Sequence, residues 1–483
     1  MQPNGLVSRR SLLAAGIGIA AAGALKPAFG DSTDPTGLTL KQASELLRKK
    51  GASPVDLTQA CLARIEKYNP ALNAFITVTR EQSLDTARAM EAEQRQGKWR
   101  GPLHGIPIAL KDNMDTAGVR TTGASELFKN RIPTEDAEVV RRLKNAGAIV
   151  LGKLNMHELA YGGSSAVSYF GAVHNPWDLQ RTPGGSSGGS AAAIAGDLCF
   201  GSLGTDTAGS VRIPASYCGV VGFKPTYGRV SIRGVIPLST SLDHVGPLSK
   251  TVEDAALMLA VIAGFDQPDP TTADVPVPDY TRAMSMRPAK MRLGVPRTPF
   301  FNRLDPEVDK AVADAIEVLR KLTASVADVQ LPTAVNPAQI WDAEIYAYHA
   351  KWIKETPELY QPQTRAAILN SGRETAEAYA NARWTMQLQR REIVKTFSNV
   401  DLLITPTMPA PAPATPAVPA SNTAPFDVFG LPTISVPCGF SKAGLPIGLQ
   451  ISGAPFAEVT VLALAHAYEQ ATDWHQRRPP LKS

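Results

Sequence analysis

The chain has 483 residues, 44% of them hydrophobic and 19% charged, an ordinary globular composition with ample material for a large buried core. The formal net charge is +5, but Arg9, Arg10 and Lys26 supply three of the positives, which leaves +2 outside the first thirty residues. No dense Lys/Arg stripe with interleaved aromatics is present, so nucleic acid is not an expected partner.

The first thirty residues read apart from the rest. Ser8-Arg9-Arg10-Ser11 opens an apolar stretch from Leu12 to Leu25, free of acids, and Ala28-Phe29-Gly30 follows with small residues suited to a signal peptidase. A positive start, an apolar middle and a small-residue end make a secretory signal, and the apolar part is too short to span a bilayer comfortably. The arginine pair makes residues 1–30 resemble a twin-arginine signal. A bacterial periplasmic or secreted protein is therefore expected, with residues 31–483 as its domain and no stable membrane association once the signal is removed. Gly16-Ile17-Gly18-Ile19-Ala20-Ala21 mimics a dinucleotide-binding loop, but no strand precedes it and the signal accounts for it.

Past this segment, helix and strand signals alternate. Ser53-Pro54 is an N-cap followed by proline at the first helical position, leading into Leu57, Ala60, Cys61, Arg64 and Ile65. Residues 105–110 form an apolar run read as a strand. Asp136 opens a helix with Val139, Val140 and Leu143 on one face and Gly147 as its stop, and residues 148–152 follow as a buried strand. Helical periodicity covers residues 251–263 and 306–324, and most of the remaining helix signal lies in residues 337–398. That last region holds Trp341, Tyr346, Tyr348, Trp352, Tyr360, Tyr379 and Trp384, which serve either helix packing or a substrate. Strand signals return at residues 402–405, 433–436 and 447–452, and between the first two lies an uncharged Pro/Ala-rich stretch, 406–425, read as an extended surface loop. Helix followed by buried strand, repeated, predicts an α/β layered fold.

Cys61, Cys199, Cys218 and Cys438 are far apart with no Cys-x-x-Cys, and read as small buried hydrophobes. The seven histidines are scattered, so no metal is expected.

Chemistry concentrates in three places. The apolar run Ile106-Pro107-Ile108-Ala109-Leu110 ends on Lys111. Such a lysine is ordinarily a solvated strand end, but packed among glycine turns it would be desolvated and neutral, able to act as a general base. Gly184-Gly185-Ser186-Ser187-Gly188-Gly189-Ser190 is dense enough in glycine to be a backbone-shaping loop. In Gly204-Thr205-Asp206-Thr207-Ala208-Gly209-Ser210, a serine closes a small-residue turn whose successive N–H groups suit an oxyanion. Each serine alone reads as an ordinary turn or cap hydroxyl; the two runs together with the lysine point to acyl transfer. Gly185-Ser186-Ser187-Gly188-Gly189 also fits the nucleophile elbow of α/β-hydrolases, but that elbow needs an apolar strand before it. The segment ahead of it, His174 to Pro183, is polar and proline-broken, so the elbow fails on context.

These runs, with Lys111-Asp112-Asn113 and Cys218-Gly219-Val220-Val221-Gly222-Phe223-Lys224-Pro225-Thr226, resemble the amidase signature family. The likeness extends from Leu38 to Pro480 and includes Asn155-Met156-His157-Glu158-Leu159, Val173-His174-Asn175-Pro176-Trp177 and Gly430-Leu431-Pro432. The resemblance implies a single large α/β domain with a mixed central β-sheet flanked by helices. It also implies a Ser–Ser–Lys site without cofactor: Ser210 as nucleophile, Ser186 as a bridging serine in a cis peptide bond, and Lys111 as the base acting on Ser210 through Ser186. The N–H groups of Thr207, Ala208, Gly209 and Ser210 match the family's oxyanion hole, Asp206 and Arg212 match positions that brace the loop, and Ser187 is a supporting donor. Ala208 is a departure, since the family often has glycine there; a methyl group is the smallest possible change.

The implied activity is hydrolysis of a small-molecule carboxamide to a carboxylate and ammonia or an amine. An esterase or carbamate hydrolase on the same site is an alternative. Another is the A subunit of a tRNA-dependent amidotransferase, which works in a cytoplasmic complex and so fits poorly with an export signal. A binding protein on a dead scaffold is disfavoured by the intact Lys111, Ser186 and Ser210. Tyr161, the turn Thr121-Thr122-Gly123 and the aromatics of residues 337–398 are the candidates for specificity.

Overall fold

Eleven strands, in chain order, form one sheet: β1 (Phe75–Val78), β2 (Pro107–Lys111), β3 (Ile149–Leu154), β4 (Gly201–Asp206), β5 (Val221–Lys224), β6 (His244–Ser249), β7 (Arg292–Val295), β8 (Ser325–Asp328), β9 (Leu402–Pro406), β10 (Thr433–Phe440) and β11 (Pro446–Gly453). Their spatial order is β1-β3-β2-β4-β6-β5-β10-β11-β9-β7-β8. The computed structural model describes residues 34–481, so the expected export segment lies outside the described residues. The sheet is mixed: β3, β2 and β4 run parallel, as do β9, β7 and β8, and the strands between are antiparallel. Helices flank it, and the described residues belong to a single compact unit. This is the expected α/β architecture. Among the described residues no helix is long and apolar enough to cross a membrane.

Local signals place many elements. Ser53 caps the helix Pro54–Leu72 by accepting from Asp56 N–H at 3.1 Å while Asp56 reaches back to Ser53 N–H at 2.9 Å, a reciprocal capping box. Thr251 caps Val252–Ile262, and Pro306 begins Pro306–Leu322 as expected. The helix expected from Asp136 starts later, at Glu138–Asn145. Asp136 is diverted by a tertiary contact, accepting Ala117 N–H at 2.8 Å. All four cysteines are free and buried.

Two central elements carried no propensity signal. β4 reads Gly-Ser-Leu-Gly-Thr-Asp and is buried at every position, although glycine is a poor strand former. The helix Gly188–Ala195 is equally small and buried. Close packing explains both: a Cβ on Gly189 would lie 2.3 Å from the Asn155 carbonyl, and one on Gly204 would lie 2.7 Å from Ser187 Oγ. Small residues let this helix lie directly on the sheet, and helix and strand form because burial satisfies their backbones together.

Residues 406–425 are the expected surface loop only in part: residues 414–417, 419 and 421 are exposed, but both ends are buried. Met408 and Ala412 are buried with Ile213 and Tyr217 of the helix Arg212–Cys218, and the stretch ends in a short buried helix, Ala424–Val428. Proline removes N–H donors that a covered segment would have to satisfy, so this composition suits a cover over apolar neighbours as well as a solvated loop.

Candidate active site

Lys111 is the last residue of β2, and its neighbour β4 ends on Asp206. The parallel register pairs Leu110 with Leu203, so the carboxyl ends of two central strands meet. Open α/β sheets commonly hold ligands at such strand ends. The turn between β4 and the helix Arg212–Cys218 carries Ser210, and Ser186 precedes the helix Gly188–Ala195.

Lys111 is fully buried, with Nζ 2.7 Å from Ser186 Oγ and 2.6 Å from Thr205 Oγ1. Asn113 Nδ2 donates to the same threonine oxygen at 3.2 Å. Burial pushes the amine down from 10.5 to about 7, against the opposing pull of the Asp243 and Asp206 carboxylates. The Gly185–Ser186 peptide is cis, as the resemblance implies. Ser186 O accepts from His157 N–H at 3.1 Å and from Ser165 Oγ at 3.2 Å, which holds the residue in place. Ser187 Oγ donates to Thr205 O at 3.1 Å and accepts Thr205 N–H at 3.2 Å, joining the glycine turn to β4. Ser187 N–H donates to Ser210 O at 3.2 Å, tying the two serine runs through the main chain. Among the described residues no side-chain hydrogen bond closes Ser186 onto Ser210, a contact that in enzymes without ligand often tightens only with substrate.

The four expected oxyanion donors divide. Gly209 N–H is taken by the Asp206 carboxylate, as is Val211 N–H at 3.2 Å, so Gly209 drops out as a donor. The N–H groups of Thr207, Ala208 and Ser210 have no partner within the described residues. Sequence could not separate these four, because which N–H faces inward depends on the peptide planes of the turn.

Asp206 and Arg212 brace this turn. Arg212 Nε and Nη2 lie 2.9 and 3.0 Å from the two Asp206 oxygens, and Nη2 also reaches Asp427 at 2.6 Å, all fully buried. Burial raises the Asp206 pKa, but the Arg212, Lys224 and His244 charges outweigh it and hold the carboxyl below its ordinary range. Asp243, not singled out from sequence, accepts from Thr207 Oγ1 at 2.5 Å and from Leu238 and Ser239 N–H at 3.0 and 3.1 Å. Burial pushes Asp243 up to about 7. Thr205 and Thr423 were likewise invisible as site residues, since nothing local marks a threonine that contacts a distant turn.

The specificity candidates are largely engaged within the protein. Tyr161 Oη donates to Asp342 at 2.5 Å and lies 2.9 Å from Ser371 Oγ. Thr122 N–H donates to Asp112 at 3.0 Å, fixing the residue after Lys111. Trp352 packs edge-on against Phe128 and Tyr360 pairs with His349 at 3.0 Å, whereas Trp384 is 69% exposed. Helix packing accounts for Trp352 and Tyr360. Among the described residues no cluster of three His, Cys, Asp or Glu has metal-holding geometry.

The family model called Amidase matches residues 56–462. The chain belongs to the amidase signature family. The A subunit of the glutamyl-tRNA(Gln) amidotransferase from Moorella thermoacetica is 42% identical over 481 residues, covering 92% of this chain and 98% of that protein. The peptide amidase of Stenotrophomonas maltophilia superposes with a TM-score of 0.83 at 32% identity, covering 92% of this chain and 98% of the other. The corresponding amidotransferase protein of Thermotoga maritima superposes with a TM-score of 0.75 at 34% identity, covering 91% and 96%.

Gly209 is the position in the turn least open to change. Its φ is +128°, and a Cβ there would sit 2.2 Å from Thr423 Oγ1. Gly209→Ala is expected to lower kcat by roughly 10²-fold or more, on the scale of losing an oxyanion donor, because the turn must shift. Steady-state kinetics on the folded variant check this, with circular dichroism confirming that the fold is kept.

Proposed function

We propose that this chain cleaves a carboxamide C–N bond through an acyl-enzyme on Ser210. The observation that carries the reading is Lys111, fully buried, 2.7 Å from Ser186 and with its pKa brought to about 7. A neutral amine keeps one lone pair; with an N–H given to Thr205, that lone pair is free to take the Ser186 proton. Ser186 then takes the proton of Ser210 as its Oγ attacks the carbonyl. The N–H groups of Thr207, Ala208 and Ser210 meet the oxyanion that develops. The proton returns along the same relay to the departing nitrogen, and water repeats the sequence to release the carboxylate.

Two settings suit this chemistry. The 42% identity to the amidotransferase protein of Moorella thermoacetica, over nearly the whole of both chains, favours an ammonia-supplying component that acts with partner proteins. The closer superposition on the peptide amidase (TM-score 0.83 against 0.75) and the expected export segment favour a stand-alone hydrolase. Release of ammonia or a free amine from glutamine and from aliphatic, aryl and peptide amides by the isolated chain separates them. Turnover of aryl or peptide amides supports the hydrolase; turnover of glutamine alone, raised by co-purifying proteins, supports the amidotransferase. Release of neither ammonia nor a free amine from any amide would overturn the proposal and leave an ester or carbamate as the substrate to test.

Export belongs to the same proposal. Arg9→Lys with Arg10→Lys is expected to retain the precursor in the cytoplasm, since the twin-arginine receptor reads those side chains. Cell fractionation checks it, and unchanged periplasmic yield would point to the general secretory route.

A further inference from the structure

The Pro/Ala-rich stretch ends on a residue that reaches the oxyanion turn from 215 positions away: Thr423 Oγ1 donates to Ala208 O at 2.5 Å. This is shorter than the hydroxyl's alternative contact within its own loop, to Ala420 O at 3.3 Å. Thr423 is fully buried, and its carbonyl accepts Arg212 Nη1 at 3.0 Å. The neighbouring Asn422 is pinned as well, its Nδ2 donating to Phe300 O and Pro406 O at 3.0 and 3.2 Å. The hydroxyl is therefore presented from a fixed support.

Ala208 C=O and Gly209 N–H belong to one peptide and point in opposite directions. Thr423 holds the carbonyl and Asp206 holds the N–H, so the plane is fixed at both edges. Turned over, the plane would bring the Ala208 carbonyl toward the Asp206 carboxylate and lose both bonds. The joint that would permit such motion is Gly209, whose φ of +128° only glycine adopts readily. Ala208 N–H and Ser210 N–H are attached at the two ends of this plane, so slack in it becomes slack in their aim.

We propose that Thr423 is a positioning residue for this reaction: through Ala208 O it holds the 208–209 peptide so that the N–H groups of Ala208 and Ser210 stay aimed at the oxyanion. The proposal rests on the acyl-serine reading above. It gives the Pro/Ala-rich segment a task beyond connecting β9 to β10. The donor matters, and the methyl group does not, because a hydroxyl alone makes the bond to Ala208.

The test compares Thr423→Val, which keeps shape and removes the donor, with Thr423→Ser, which keeps the donor. Thr423→Val is expected to lower kcat about ten- to a hundredfold, the scale of a misaimed catalytic group, with KM changed less than about twofold. It should weaken binding of a peptide aldehyde, whose adduct with serine carries an oxyanion, by the same factor. Thr423→Ser is expected to recover most of both. The pH midpoint of activity should stay in place, which a general loosening of the site would not allow. Thermal melting identifies a misfolded Thr423→Val, in which case Thr423→Ala is measured in its place by the same readouts. Wild-type kcat in the folded donor-less variant, a loss confined to KM, or no recovery in Thr423→Ser would overturn the proposal. Labelling by an active-serine probe keeps this apart from the underlying reading: if Ser210→Ala is still labelled and active, the acyl-serine reading itself fails.

Discussion

Lys111→Ala is expected to lower kcat/KM by roughly 10²–10⁴-fold or more, the range of a positioned acid–base group, and Lys111→Arg to restore none of it. The lysine is sealed from water and bonded to Ser186 and Thr205, so its charged form is disfavoured and its neutral form is aimed. Arginine stays charged at any working pH and cannot take a proton. Because the neutral amine is the active form, kcat/KM should rise with pH through a midpoint near 7 and fall away below it. Asp243 is brought to about the same value, so the limb needs assignment. The Asp243 charge raises the Lys111 pKa, hence Asp243→Asn should move the limb to lower pH and keep it. A limb that vanishes in Asp243→Asn would assign the titration to the carboxyl, and near-normal turnover by Lys111→Arg would make Lys111 a structural cation.

Ser210→Ala should reduce turnover by about 10⁶-fold, the scale seen when a serine nucleophile is removed, and abolish labelling by an active-serine probe. Ser210 stands at the end of the turn that carries the N–H groups of Thr207 and Ala208, which have no partner among the described residues, with its own N–H beside them. Ser186 and Ser187 are committed elsewhere, to Lys111 and to Thr205. Mass spectrometry of the labelled wild type is expected to place the adduct on Ser210; an adduct on Ser186 or Ser187 would move the nucleophile there. Ser186→Ala, in contrast, should still label slowly, because it breaks the proton relay without removing the attacking oxygen.

Amphipathic helices and apolar strands were legible because their signals are local. The cap at Ser53, the proline at Pro306 and the apolar run into Lys111 each follow from neighbours a few residues apart. β4 and the helix Gly188–Ala195 were not legible as elements, for their glycines answer to distant atoms such as Asn155 O and Ser187 Oγ. The start of the helix Glu138–Asn145 moved for the same reason, Asp136 being held by Ala117.

The catalytic candidates Lys111, Ser186 and Ser210 could be named before the fold was known because the two glycine-framed serine runs and the lysine ending an apolar run together resemble the amidase signature family; each residue alone reads as an ordinary turn hydroxyl or strand end. Only the folded chain decided what surrounds them. Parallel pairing of β2 with β4 brings Lys111 to Thr205, and burial there brings its pKa to about 7. The orientation of the 208–209 peptide removes Gly209 from the expected oxyanion donors and gives its N–H to Asp206. Asp243 and Thr423 meet the turn from far along the chain and carry no mark in their own neighbourhoods. Residue order specifies which groups are available; desolvation and the direction of a peptide plane depend on every segment packed around them, and exist only once the sheet has closed.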